Sequence, residues 1–424
     1  MTIGFAEALL LLGLLLGIGA ALSGWLHGTV LSISVLSVAA GITLAAAGVV
    51  SVRPRDELTV VVVELALVLT LFSDGLVVER EVLRREWRPP ARALVLAMPV
   101  TLVLLALVAK LLFAELTWPE AFLLGAVLSP TDPVVTSAVV TAQRVPSVIR
   151  HTLNLESGLN DGLALPFVLF FLVLSTKAEG AGGEGLHLLA EAVVGALLGT
   201  LLALVGGRAL AYLPGGGITE KYEGVYALGL GFAAFGLAEV TFGNGLIAVF
   251  VAGIALAVTR HEIPEAFATF NESVSATFQV ITFFVFGSLI VATGWEGNTL
   301  ALAAFIVFAL LVARPSAVWI SFLGLELPRP QKLFIAWFGP KGVASMLFAL
   351  FVLKSGAPDR TVVFDIASFT VLVSIIAHGL TDTVGARWIE RRMLIGAEED
   401  DVRDRIQREE DEPAPAVVPR AGGE

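Results

Sequence analysis

Leu128-Ser129-Pro130-Thr131-Asp132-Pro133 decides how this chain is read. Two prolines bracket a Thr-Asp pair midway through the apolar run 119–142. Each proline removes a backbone donor and clashes with the preceding turn, so a helix through this run breaks here. The break frees carbonyls beside the Thr131 hydroxyl and the Asp132 carboxylate. At membrane depth, broken backbone is tolerated only where it is buried in protein or lines a cavity. The plainer alternative is a kink beside a chance aspartate.

The rest of the chain places that run in a membrane. It has 424 residues, 56% of them hydrophobic, against about 45–50% in soluble domains. Its mean hydropathy is +0.86. The apolar residues gather in runs of about twenty, enough to cross roughly 30 Å of hydrocarbon. About thirteen spans follow: 4–23, 29–50, 58–79, 93–115, 119–142, 151–176, 186–212, 223–241, 243–259, 270–293, 299–322, 332–354 and 362–389. Pro, Gly and charge clusters such as Pro214-Gly215-Gly216-Gly217 and Pro328-Arg329-Pro330 divide them, least sharply near Gly243-Asn244-Gly245. The expected fold is an all-α integral membrane bundle.

Charge sets the orientation. Arg80, Arg84, Arg85, Arg88, Arg92, Arg144 and Arg150 fall on the same side as Arg387, Arg391 and Arg392. Arg53, Arg55, Lys177, Lys354 and Arg360 fall on the other. Basic residues mark the cytoplasmic face, which puts the N-terminus outside and the C-terminus inside a cell membrane. Met1–Leu22 has no basic leader region and reads as a retained first span. Residues 397–424 are charged, then Pro- and Ala-rich, and are expected to be a disordered cytoplasmic tail after a membrane domain over 1–396. The net charge of −11 owes much to that tail, so there is no basic footprint for nucleic acid. No cysteine is present, which excludes disulfide and thiol chemistry.

Charges inside spans are costly and therefore candidates for function. They include Glu64, Asp74, Lys110, Asp132, Glu156, Asp161, Glu239, Lys341, Asp365 and His378. Span six carries Glu156-Ser157-Gly158-Leu159-Asn160-Asp161-Gly162. Ser157 and Asp161 share one helix face, and Glu156 and Asn160 form a second polar stripe. Gly158 and Gly162 permit close helix contact. A loop here is the alternative, set against fully apolar flanks. Span twelve is interrupted by Phe338-Gly339-Pro340-Lys341-Gly342. Spans five and twelve, both interrupted, differ by seven, as do spans six and thirteen, the latter with His378-Gly379. An odd offset inverts one half relative to the other. Paired interrupted spans point to a transport site at a repeat interface.

At these residues the chain resembles the monovalent cation/proton antiporter family, in its NhaP-like sodium/proton branch. The matching pieces are Thr131-Asp132-Pro133, Glu156-Ser157-Gly158-Leu159-Asn160-Asp161, Gly339-Pro340-Lys341-Gly342 and His378-Gly379-Leu380-Thr381. The resemblance implies a thirteen-helix sodium/proton antiporter fold of inverted repeats, with spans five and twelve crossing as broken helices. It implies a six-helix core, a dimerisation domain and a homodimer working by elevator-like alternating access. It makes Asp161 the carboxylate shared by cation and proton, completed as a monovalent-cation site by Asp132, Thr131 and Ser157. Asn160 stands where electrogenic relatives have Asp, so electroneutral exchange of Na⁺, with Li⁺, for H⁺ is implied. Relatives usually carry Arg at the Lys341 position, paired with the glutamate at 156; Lys341 pairs there as a point charge without the fork. Some relatives add a carboxylate from span three, here Asp74, with Glu64 behind it.

The chemistry agrees with that role. Hard cations favour oxygen donors, and these side chains supply only oxygen. A carboxylate in a poorly solvated site needs a partner, so proton and cation compete for it. Asp132 and Lys341 have signs suited to opposed half-helix ends. K⁺/H⁺ exchange on the same fold is the nearest alternative, and a cation channel is a further one. An enzyme is disfavoured. His261-Glu262-Ile263-Pro264-Glu265 lacks the second histidine of a zinc protease motif, and Lys341 has no phosphate-cradling loop. No cofactor is called for; the partners are the ions, the bilayer and a second copy.

Overall fold

Apolar runs bounded by Pro, Gly and charge become helices, because in lipid the backbone must satisfy its own hydrogen bonds. A computed structural model describes residues 5–26, 33–53, 56–76, 87–132, 145–176, 181–209, 220–259 and 265–411. The first helices are α1 (Phe5–Leu26), α2 (Ile33–Ala46), α3 (Glu57–Leu76), α4 (Arg88–Leu112), α5 (Trp118–Leu128) and α6 (Ser147–Thr176). There follow α7 (Ala181–Ala209), α8 (Glu220–Glu239), α9 (Gly245–Thr259), α10 (Glu265–Thr293) and α11 (Thr299–Ser321). The interrupted span is α12a (Arg329–Trp337) and α12b (Val343–Lys354), and α13 is Arg360–Asp411. Among the described residues, seven helices are each long and apolar enough to cross a membrane, and shorter apolar helices join them in an all-helical bundle. The second arm of span five, residues 133–144, and the stretch His261–Pro264 lie outside the described residues.

Both predicted breaks are present. Helix α5 stops at Leu128, and Ser129–Asp132 runs on without helical structure. Phe338–Gly342 separates α12a from α12b. A third correspondence at an offset of seven joins them. Helices α4 and α11 each contain a π-helical turn, Ala93–Ala97 and Ala309–Ala313. In each, a proline enters the next turn, Pro99 and Pro315, where its missing N–H disturbs the regular ladder. The repeat thus extends over spans four to six and eleven to thirteen.

Packing divides the helices into two groups. Helix α2 lies on α10, and α9 lies on α3, α7 and α8. Helix α4 lies on α5 and α11, α5 on α6, α11 on α12a, and α12b on α13. The groups meet where α3 touches α6 and α12b, and where α10 touches α12b and α13. One apolar cluster, including Leu67, Phe72, Leu124, Phe283, Phe348 and Phe364, runs through both. Gly162 of α6 faces the Phe250 ring of α9, which a Cβ would overlap.

One expectation changes. Helix α13 continues to Asp411, so 397–411 is helical; extending an existing helix is far easier than starting one.

Candidate ion site at the paired breaks

Each break leaves backbone groups without partners in their own helix, and the two breaks pair with each other. The Asp132 N–H donates to the Pro340 carbonyl at 2.9 Å. The Val343 N–H donates to Asp132 Oδ2 at 2.9 Å. Asp132 therefore stands at the N-terminus of α12b, where free N–H groups and the helix dipole favour an anion. Reciprocally, Lys341 Nζ donates to the Ser129 and Pro130 carbonyls, both at 3.3 Å. Those carbonyls follow the C-terminus of α5, where a cation is favoured. Each break supplies the charge that the other's helix end calls for. A Cβ on Gly342 would overlap the Asp132 carboxylate, so glycine is what lets the breaks close up.

Helix α6 braces the first break. Ser157 Oγ donates to the Thr131 carbonyl at 2.6 Å. Asn160 Nδ2 donates to the same carbonyl and to Thr131 Oγ1, both at 2.9 Å. The carbonyl's two lone pairs are thereby occupied. Asp161 follows on α6, and its carboxyl faces that of Asp74 on α3. Asp161 Oδ1, Asn160 Oδ1 and Asp74 Oδ2 are buried oxygens without a hydrogen-bond partner among the described residues. Such oxygens are costly to leave unserved, and a set made only of oxygen suits a hard cation.

The structure thus brings together Asp132, Thr131, Ser157, Asn160, Asp161 and Asp74. Glu64 is elsewhere, ion-paired with Lys354 of α12b. It precedes Asp74 by ten residues, roughly 15 Å along α3.

Glu156 is expected from sequence to pair with Lys341; its partner is Arg314 of α11. Arg314 Nη1 reaches Glu156 Oε1 at 2.6 Å, and Nη2 reaches Oε2 at 3.1 Å. Nη2 also donates to the Ile335 carbonyl at 3.3 Å. Both side chains are buried, and the planar fork matches the carboxylate as an ammonium does not. The fork comes from a different span, leaving Lys341 for the α5 carbonyls. Arg314 is absent from the charges singled out above. Its signal was a lone arginine with Pro315 inside an apolar run, which demands a buried anion. A Cβ on Gly339 would overlap the Arg314 guanidinium, so the two glycines of Gly339-Pro340-Lys341-Gly342 accommodate two different charges.

The remaining intramembrane charges have local partners. Thr293 Oγ1 donates to Asp365 Oδ1 at 2.6 Å. Glu239 Oε1 accepts from the Gly245 N–H at 2.9 Å, and Lys110 Nζ donates to Leu116 O at 2.6 Å.

Comparison with known proteins follows the same lines. The sodium/hydrogen exchanger, transmembrane, family matches residues 10–385. The K(+)/H(+) antiporter NhaP of Alkalimonas amylolytica is 26% identical over 333 residues, covering 77% of this chain and 57% of the relative. NhaP2 of Shewanella oneidensis, also named a K(+)/H(+) antiporter, is 26% identical over 76% of this chain and 56% of its own length. The Na(+)/H(+) antiporter 2 of Zygosaccharomyces rouxii is 26% identical over 76% of this chain and 45% of its own length. The chain therefore spans about half the length of these relatives. The structure of the sodium proton antiporter MjNhaP1 from Methanocaldococcus jannaschii superposes with a TM-score of 0.74 at 20% identity, covering 90% of this chain and 98% of that one. With two breaks that bond to each other, a carboxylate pair beside them and a family match across nearly the whole membrane region, the chain belongs to the sodium/hydrogen exchanger, transmembrane, family.

Proposed function

We propose that the protein exchanges one monovalent cation, Na⁺ with Li⁺ as a congener, for one H⁺ at Asp161. The observation that carries this reading is the Asp161 carboxyl facing Asp74, with oxygens on both and on Asn160 that no described residue serves. A hydrogen bond between two carboxyls holds one proton, and the pair then carries a single negative charge. One monovalent cation between two carboxylates leaves the same net charge. Glu156 is matched by Arg314, and Asp132 faces a helix N-terminus near Lys341, so Asp74 and Asp161 are left to exchange ions. Electroneutral one-for-one exchange follows. Thr131 and Ser157 offer their remaining hydroxyl lone pairs to the cation, and Asn160 holds Thr131 in place.

The reading sets the chain in a cell membrane as a homodimer, N-terminus outside and C-terminus inside. The group containing α5, α6, α12b and α13 moves against the other to present the site to either face. A second reading, K⁺ in place of Na⁺, is favoured by the names of two of the relatives above. The test is dequenching of a pH dye in proteoliposomes on adding Na⁺, Li⁺ or K⁺, repeated under a potassium/valinomycin clamp. Asp161→Asn is expected to abolish the signal for every cation. Exchange surviving in that variant, or a clamp-dependent rate, overturns the assignment or its stoichiometry.

A further inference from the structure

The break between α12a and α12b leaves a carbonyl on one side and an N–H on the other that no helix serves. Trp337 closes α12a, and its carbonyl accepts from the Gly339 N–H in a tight turn at 2.9 Å. The same carbonyl lies 2.9 Å from His378 Nε2. On the far side, the Lys341 N–H donates to Ser374 Oγ at 2.9 Å. Ser374 Oγ lies 3.3 Å from His378 Nδ1, and the Ser374 carbonyl lies 2.7 Å from it. One chain of contacts thus runs from Lys341 through Ser374 and the imidazole to Trp337. The Trp337 indole stacks on the imidazole, with centroids 4.9 Å apart and planes at 26°. Its Nε1–H donates to Thr381 Oγ1 at 3.0 Å. Ser374, His378 and Thr381 occupy one face of α13 by the i, i+4, i+7 rule, and all three are spent on the break. Ser374 and His378 are buried.

We propose that His378 is a positioning residue of the exchange site, an inference that rests on the exchange reading above. With Ser374 it splices the two arms of the broken span and so fixes Lys341 and the start of α12b against Asp132. Nε2–H donates to the Trp337 carbonyl; Nδ1 accepts from the Ser374 hydroxyl at 3.3 Å when it carries no proton and donates to the Ser374 carbonyl at 2.7 Å when it does. A second proton, on Nδ1, turns that nitrogen to the Ser374 carbonyl and leaves the Trp337 bond intact. The ring touches neither Asp161 nor Asp74 in any of these contacts. It acts on the site only through the backbone that carries Lys341 and Gly342.

The test compares His378→Ala, His378→Gln and Ser374→Ala in the full chain. Readouts are the cation dependence of exchange in proteoliposomes, thermal unfolding, and amide hydrogen exchange of the peptide spanning 337–343. His378→Ala is expected to raise the half-saturating cation concentration about tenfold, the lower end of what losing an outer-shell support costs a metal site. It is also expected to speed amide exchange across the break. His378→Gln keeps an N–H for the Trp337 carbonyl and is expected to restore most of both. Ser374→Ala, which removes the bridge to the Lys341 N–H, is expected to show the same pair of changes, and it stands in if His378→Ala does not fold. Lowered thermal stability with an unchanged half-saturating concentration overturns the proposal. So does wild-type amide exchange at the break in both alanine variants. If wild-type vesicles exchange no cation at all, the exchange reading fails instead, and amide exchange alone decides on the splice.

Discussion

Arg314 and Lys341 show how residue identity is settled by geometry. Both are buried cations near Glu156, and they divide two roles between them. The planar fork goes to the carboxylate, with two bonds at 2.6 and 3.1 Å. The ammonium, whose donors rotate, goes to two carbonyls at once. Arg314→Lys is expected to lose one of the parallel bonds and about 1–3 kcal/mol of stability. Arg314→Met leaves Glu156 buried without a cation and is expected to cost about 3–5 kcal/mol. Thermal unfolding of the purified variants, with Glu156→Gln/Arg314→Met as the paired control, checks the order. Asn160 makes a related point: its two donations to Thr131 come from an amide nitrogen, which an aspartate does not have.

The broken spans are the elements on which the site is built, and their ends need charge rather than apolar packing. Lys341 completes the carbonyl end of α5, as Asp132 completes the N–H end of α12b. Lys341→Ala is expected chiefly to lower thermal stability, with residual exchange per folded protein. Lost turnover at unchanged stability would instead give the lysine a direct part in transport. The π-helical turns in α4 and α11 belong at this scale too. The turn in α11 ends at Ala313, so Arg314 begins the helix that follows it. Hydropathy alone hides such a turn, because one inserted residue leaves the run equally apolar.

Contacts between the two helix groups lie at more than one depth. Asp74 faces Asp161 at the site. Toward the end assigned to the outside, Glu64 pairs with Lys354, and Thr293 bonds Asp365. Elevator-like exchange requires those outer contacts to part. The chain has no cysteine of its own, so Glu64→Cys with Lys354→Cys can be joined by a short bifunctional thiol reagent. Exchange is expected to stop on joining and return on cleavage of the reagent; unimpeded exchange in the joined protein would place the motion elsewhere. At the same end, Asp359 links α12b to α13, and its N–H donates to Glu120 Oε1 at 3.0 Å. Burial, then the charges of Glu120 and Glu115, hold the Asp359 carboxyl above its ordinary range. An acid raised in this way binds its proton more tightly folded than unfolded. It favours folding at low pH and loses that contribution as pH rises through the raised value. Asp359→Asn is therefore expected to raise the melting temperature at about pH 7 and to leave it little changed near about pH 4. A series of melts across that range checks the sign.

Read alone, the residues mark the chain as a membrane bundle, show where its spans break and name the carboxylates that stand at the breaks. Those properties are local. Length and hydropathy decide a span, proline decides a break, and the cost of a buried charge marks Asp132 and Asp161 without any knowledge of neighbours. Which group answers each charge became visible only in the folded chain. Arg314 takes Glu156, Lys341 takes the carbonyls beyond α5, Glu64 leaves the site for Lys354, and Asp74 comes to Asp161. These pairings join residues far apart in the chain. Opposite charges attract whichever span carries them, so which pairs form is set by how the helices pack.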